Sequence, residues 1–277
     1  MKINIYQNYY HESQKSRLDS SFIPYNNSMS KNPEYYEFGP ILDLYENKEY
    51  LNSDYCGLMS YKFNTKTNIE GSVFKEFILN NPGYDVYFIN PHPQLSYFYY
   101  NSWEQGEFWH KGLKDYGEKI LKEINFINNI NSIPRQDNKT LCYSNFWVGN
   151  KDFWSNYGIW LLKLKEIILK EKDLFKNTFH ANGSSPMFPF LFERLFSTYL
   201  SLNNNIKYLS YPYSDSELIN SCFFDEEKNY LIKILNKNID LEKNMYVLKN
   251  EYAIISTNHY EMSKNNFEMN GVPKSTC

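Results

Sequence analysis

Two short, mostly apolar runs flank one amphipathic segment, and that order leaves the chain few folds to adopt. Residues 55–61 (YCGLMSY) and 84–89 (YDVYFI) are apolar along most of their length, as strands buried on both faces are. Between them, residues 72–79 put Val73, Phe74, Phe77 and Ile78 on one helical face. Asn81-Pro82-Gly83 then makes a turn. Strand, helix and strand in this sequence are the pattern of an α/β sheet.

The rest of the chain extends the pattern. Residues 2–6 (KINIY) alternate as a strand, and residues 140–148 and 206–209 read as further strands. Helices are expected from Pro33 to about residue 47, from about residue 111 to before Pro134, over 152–170 and over 186–202. The helix at 152–170 carries Tyr157, Trp160, Leu161, Leu164, Ile167 and Ile168 at helical spacing, with Asp152 as its expected cap. Residues 8–33 read as a long polar loop, 94–110 as an aromatic loop and 180–186 as a glycine-containing loop. Beyond Asp225 the pattern allows a helix at 228–237, a strand at 245–256 and a polar tail.

Composition removes several functions. The net charge is −3, so there is no basic surplus to hold nucleic acid. No apolar run approaches the ~20 residues that a membrane span needs. The first residues, MKINIYQNYYHES, lack the apolar centre of a signal peptide. Cys56, Cys142, Cys222 and Cys277 are scattered, which points to neither a zinc site nor a disulfide framework, and the expected compartment is the cytoplasm. No GxGxxG, P-loop or GxSxG is present. Aromatic residues make up 18% of the chain, so many rings must be buried while tyrosine hydroxyls reach polar partners.

Four places carry candidate chemistry. Asp85 sits inside an apolar run, where a carboxylate needs a partner or a metal. The position two residues on is Tyr87, so the DxD pair that holds a cation on a sugar-nucleotide diphosphate is incomplete. Residues 103–110 (WEQGEFWH) gather Glu104, Glu107 and His110 among large rings. A carboxylate there suits deprotonation of a hydroxyl, and rings stack on sugar faces. Glu193-Arg194 interrupts an apolar helix, and Arg194 is one of only three arginines. It is either a phosphate contact or a structural ion pair. Lys62 and, less strongly, Lys66 follow an apolar run and offer cations for a phosphate.

Read together, these segments resemble a bacterial family of capsular and exopolysaccharide synthesis proteins that are glycosyltransferase-like. That family shows, in order, a first strand, a "dYvGLcHYRRYF" block, "yDvil", "NmFim…FneYceWLF" and "ERLlniwl". Here the order is Lys2–Tyr6, Asp54–Phe63, Tyr84–Phe88, Ser144–Gly149 with Phe153–Tyr157, and Glu193–Phe196, and the likeness covers about residues 2–210. The family's His-Tyr-Arg-Arg is Ser60-Tyr61-Lys62-Phe63 in this chain, which removes an imidazole and one cation.

The resemblance implies a single half-Rossmann domain of the GT-A type, with a mixed central sheet flanked by helices, over residues 1–224. Residues 225–277 would form a C-terminal extension. It implies a sugar donor bound as a nucleotide diphosphate and an acceptor that is a growing glycan, lipid-linked or free, with peripheral contact at the inner membrane. Tyr6, Gln7, Lys62, Asp85 and Arg194 would hold the nucleotide sugar. A divalent cation, Mn2+ or Mg2+, would sit at Asp85, or Lys62 would replace it. Glu107, Glu104, His110 and Glu193 would face the acceptor as the catalytic set. Two alternatives stay open at this point: a catalytically inactive carbohydrate-binding or assembly subunit, and a transferase of another group.

Overall fold

The computed structural model describes residues 1–30, 35–171 and 186–270, with side chains to 262. The expected glycine-containing loop therefore lies outside the described residues, apart from Pro186. The chain divides into two compact units, Met1–Pro93 with Tyr100–Pro212, and Gln94–Tyr99 with Tyr213–Cys277.

The first unit is built on a six-stranded mixed sheet flanked by helices, as expected. Its strands are β1 (Ile3–Tyr9), β2 (Ile23–Asn26), β3 (Tyr55–Ser60), β4 (Val86–Phe88), β5 (Trp147–Asn150) and β6 (Tyr208–Ser210). They lie in the order β2-β1-β3-β5-β4-β6. β1 runs parallel to both β2 and β3, β5 is antiparallel to β3 and β4, and β4 is parallel to β6. From β1 the chain goes first to one side, to β2, and then crosses to the other side, to β3. The sheet therefore reverses direction at the β1/β3 pair, where open α/β sheets leave a crevice beyond the strand carboxyl ends.

The helices of this unit are α1 (Phe38–Glu46), α2 (Phe63–Thr67), α3 (Gly71–Asn80), α4 (Ser102–Trp109), α5 (Leu113–Glu123), α6 (Lys151–Lys170) and α7 (Phe188–Leu202). All six residues of β3 are buried, which accounts for its unbroken apolar run. Gly57 is needed there, because a Cβ would stand 2.3 Å from the Trp147 carbonyl oxygen of β5. Trp147 stacks on Phe196 of α7 at 5.6 Å and meets Trp154 of α6 at 4.8 Å, which packs both helices on the sheet. This is where much of the aromatic excess goes.

Several local expectations are corrected. Residues 8–33 are not one loop: they hold a 3-10 helix, Glu12–Arg17, and β2. The aromatic stretch contains α4, started by the Asn101 side chain, which accepts from the amides of Trp103 and Glu104. α6 is capped by Asn150, whose side chain accepts from the Phe153 amide, and not by Asp152. The expected strand at 140–148 is mostly loop, and β5 begins only at Trp147.

The second unit contains α8 (Asp215–Asn220), α9 (Asp225–Asn236) and α10 (Leu241–Asn270), so the strand expected at 245–256 is helix. Phe98 stacks on Tyr252 at 4.1 Å and on Tyr230 at 5.7 Å. Glu227 is fully buried beside them, accepting from the Phe223 amide at 2.6 Å and the Tyr252 hydroxyl at 3.2 Å. Among the described residues no helix is long and apolar enough to cross a membrane.

Candidate functional site

The carboxyl ends of β1, β3 and β4 and the start of the antiparallel β5 face the same edge of the sheet. Gln7, fully buried near the end of β1, fastens two segments there. Its Nε2 donates to the Ser60 carbonyl at 3.1 Å, and its Oε1 accepts from the Asp19 amide at 2.6 Å. Asn8, the next residue, is fully buried, and neither atom of its carboxamide has a hydrogen-bond partner. Tyr10 follows the strand and meets Tyr61 edge-on at 5.5 Å.

The loop before β5 is the strained part of this edge. Ser144 and Asn145 have φ of 61° and 54°, two consecutive non-glycine residues in the left-handed region. Such backbone costs on the order of 1–3 kcal/mol per residue and gathers at functional sites. The loop is held by anchors on either side. The Cys142 amide donates to Ser197 Oγ at 2.8 Å, and the Ile89 amide donates to the Phe146 carbonyl at 3.0 Å. The result presents the Ser144 hydroxyl to Lys66, whose Nζ donates to it at 2.7 Å.

Lys66 is the centre of a charged group. It acts on Glu37, at the start of α1, and on His92, after β4. Burial pushes the Glu37 carboxyl up to about 7; Lys66 and the Asn145 carboxamide pull it down, and Glu193 pushes it up. Burial, helped by Lys66, pushes His92 down to about 3, so its imidazole is neutral near pH 7. Glu193 stands 4.0 Å from the Arg194 guanidinium. Lys66 thus acts electrostatically on one carboxylate and one neutral imidazole, and that carboxylate in turn feels Glu193.

The expected site residues are distributed unevenly around this group. Glu193 belongs to it. Lys62 precedes α2 close by, with its ammonium 5.8 Å from the centre of the Tyr61 ring. Tyr6 of β1 meets Tyr25 of β2 edge-on at 6.3 Å and donates to Glu49 at 3.5 Å. Arg194 is buried and ties α7 to α4. It donates to the carbonyls of Ser102, at 2.8 Å, and of Phe190, and to Gln105 Oε1 at 2.6 Å.

Glu104 and Glu107 serve helix starts. Glu104 accepts from the Tyr100 amide at 2.7 Å; Glu107 accepts from the amides of Gly112 and Lys114, both at 3.0 Å. His110 ends α4 with its ring stacked on Phe190 at 3.7 Å.

Asp85 lies at the other end of the sheet, just before β4. One oxygen accepts from Asn150 Nδ2 at 3.0 Å and the other from the Lys207 amide at 2.8 Å, which joins β4, β5 and β6. A carboxylate so engaged does not fit a divalent cation on a diphosphate at the opposite edge. Among the described residues, no three His, Cys, Asp or Glu side chains converge as a metal site.

Glu37, His92 and the Ser144-Asn145 pair also stand around Lys66 in the fold and are not among the residues the sequence singles out. The available signal was Ser144-Asn145 at the head of the fourth resembling block, where the residues looked like strand.

The fold and this edge define a mixed α/β protein with a group of polar and charged side chains beside the carboxyl ends of its strands. No family model and no curated protein matches the chain. Among solved structures, it is similar to the apo structure of WbbM, a bifunctional glycosyltransferase, at 18% identity and a TM-score of 0.47. That likeness covers 76% of this chain and 44% of the other, so the chain spans under half of that protein's length.

Proposed function

We propose that this chain is a glycosyltransferase that moves a sugar from a nucleotide-diphosphate donor to a hydroxyl of a growing surface glycan. The observation that carries the reading is Lys66, fixed on the Ser144 hydroxyl before β5 and acting on the Glu37 carboxyl, beside the strand carboxyl ends where ligands of open α/β sheets bind. The ordered resemblance to capsular synthesis proteins supports the glycan class.

In this reading the donor lies across the ends of β1 and β3. Lys66, with Lys62 beside it, meets the negative charge that builds on the leaving diphosphate. The acceptor hydroxyl attacks the anomeric carbon, the bond from that carbon to the diphosphate oxygen breaks, and the hydroxyl proton passes to a carboxylate. Glu37 suits that role, since a base that titrates near the working pH is effective. Burial keeps its titration high, and the neighbouring Glu193 carboxylate adds to that. Glu104 and Glu107 are not given this work, because their oxygens cap helices.

The second reading, a carbohydrate-binding subunit without turnover, is favoured by Ser60-Tyr61-Lys62-Phe63 standing where the resembling family has more cationic residues. Incubation with a panel of nucleoside-diphosphate sugars and glycan acceptors, followed by mass detection, separates the two. The transferase reading expects nucleoside diphosphate release and an acceptor heavier by one sugar, reduced about a hundredfold or more in Glu37→Gln. Glycan binding with no release from any donor would leave the binding subunit.

A further inference from the structure

The opposite, amino-terminal edge of the same sheet carries a second concave site. A cleft of about 490 Å³ opens there, between the start of α6, the end of α7 and the segment that enters β6. Its volume falls within the range of small-molecule sites. Phe153, Trp160 and Tyr199 form apolar floor. The Trp160 ring is fixed in place, with Phe126 edge-on at 4.6 Å and Lys163 over it at 4.3 Å. Asn156, Asn203 and Asn205 line the same cleft. Asn203 spends its Nδ2 on the Tyr199 carbonyl at 2.7 Å, which leaves its oxygen as an acceptor.

The two charged groups lining the cleft, Asp85 and Asp152, are both acidic, and no lysine or arginine lines it. A phosphate there would face both carboxylates, with Lys163 held over the Trp160 ring. Rings set among amides and carboxylates suit a ligand with apolar faces and many hydroxyl donors. We propose that this cleft is a second carbohydrate site, which takes a short neutral oligosaccharide and lies apart from the Lys66 crevice. Such a site would hold a glycan chain at a distance from its reacting end. The argument rests on the lining alone and stands whether or not the chain is a transferase.

The test is saturation-transfer NMR and tryptophan-fluorescence titration of the full chain with neutral oligosaccharides of the gluco, galacto, manno and N-acetylglucosamino series. Asn156 and Ile159 are exposed on the rim, so Asn156→Lys and Ile159→Lys obstruct the cleft without touching the core. At least one series is expected to bind, and each variant is expected to weaken it about tenfold or more with an unchanged melting temperature. Lys66→Met, at the other edge, is expected to leave that binding intact. Failure of every series to bind would overturn the proposal. So would binding that ignores both rim variants, or binding that is lost in Lys66→Met.

Discussion

The Lys66 ammonium donates to the Ser144 hydroxyl at 2.7 Å, joining the helix after β3 to the left-handed turn before β5. The strained turn therefore has a reason beyond chain reversal: it sets a hydroxyl where it holds a cation at the crevice. Ser144→Ala removes that acceptor while keeping the backbone. It is expected to cost roughly 1 kcal/mol or less in stability, yet to weaken binding of a nucleoside diphosphate severalfold, as measured by titration calorimetry. Ser144→Gly is expected to relieve backbone strain and so to recover stability without recovering affinity.

Glu37 predicts a pH dependence with a definite sign. Its carboxyl is raised from 4.5 to about 7 by burial, so between those values the folded chain keeps a proton that the unfolded chain has lost. Its contribution to stability is full below about pH 4.5 and declines as pH rises towards 7. Glu227, also pushed up to about 7 by burial, acts in the same direction in the second unit. Urea midpoints across this window should show Glu37→Gln gaining on the parent chain as pH rises, with the gain constant above about pH 7. An advantage that shrinks with rising pH would contradict the burial of Glu37.

Arg194 is expected to matter for folding. Its guanidinium serves two backbone carbonyls and the Gln105 oxygen, and a Cβ on Gly106 would stand 2.3 Å from its Nε. Arg194→Met removes three hydrogen bonds from a buried position, at a cost of about 3 kcal/mol or more. Gly106→Ala should also destabilise, by roughly 1–3 kcal/mol, because the ring of contacts around the guanidinium must shift. Denaturant melts of both variants check this. A stable Arg194→Met chain that has lost only ligand binding would place the arginine at the donor instead.

Asp85 gives the contrasting case. Asp85→Ala strips the partners from the Lys207 amide and Asn150 Nδ2 and should cost about 1–3 kcal/mol. Nucleoside diphosphate affinity, measured with and without Mn2+, should not change. A Mn2+-dependent affinity that vanishes in Asp85→Ala would restore the metal role that the sequence pattern raised.

These cases show which parts of the fold the residues announce. The buried strands β3 and β4 are legible because burial on both faces leaves few polar positions, Ser60 alone among them, and α6 because its apolar stripe is long. The reach of the crevice was not, because Glu37 and Lys66 lie far apart in sequence and only the sheet order brings them together. The Ser144-Asn145 turn was hidden inside an apolar stretch, since neither residue is the glycine that usually marks a left-handed position. Glu104 and Glu107 stand out in the sequence as carboxylates near rings, and in the fold their oxygens accept from backbone amides at helix starts. Residues 245–256 allow a strand in the sequence, although Met245, Leu248, Tyr252 and Ser256 bury one helical face.

The central claim is that the working edge of the sheet is the one holding Lys66. Calorimetric titration of nucleoside diphosphates and their sugars into the parent chain, Lys66→Met and Asp85→Ala tests it most directly. One nucleotide class is expected to bind the parent and Asp85→Ala alike, and to bind Lys66→Met at least about tenfold more weakly. Equal affinity for the parent and Lys66→Met, with loss in Asp85→Ala, would contradict the account and move the site to the other end of the sheet.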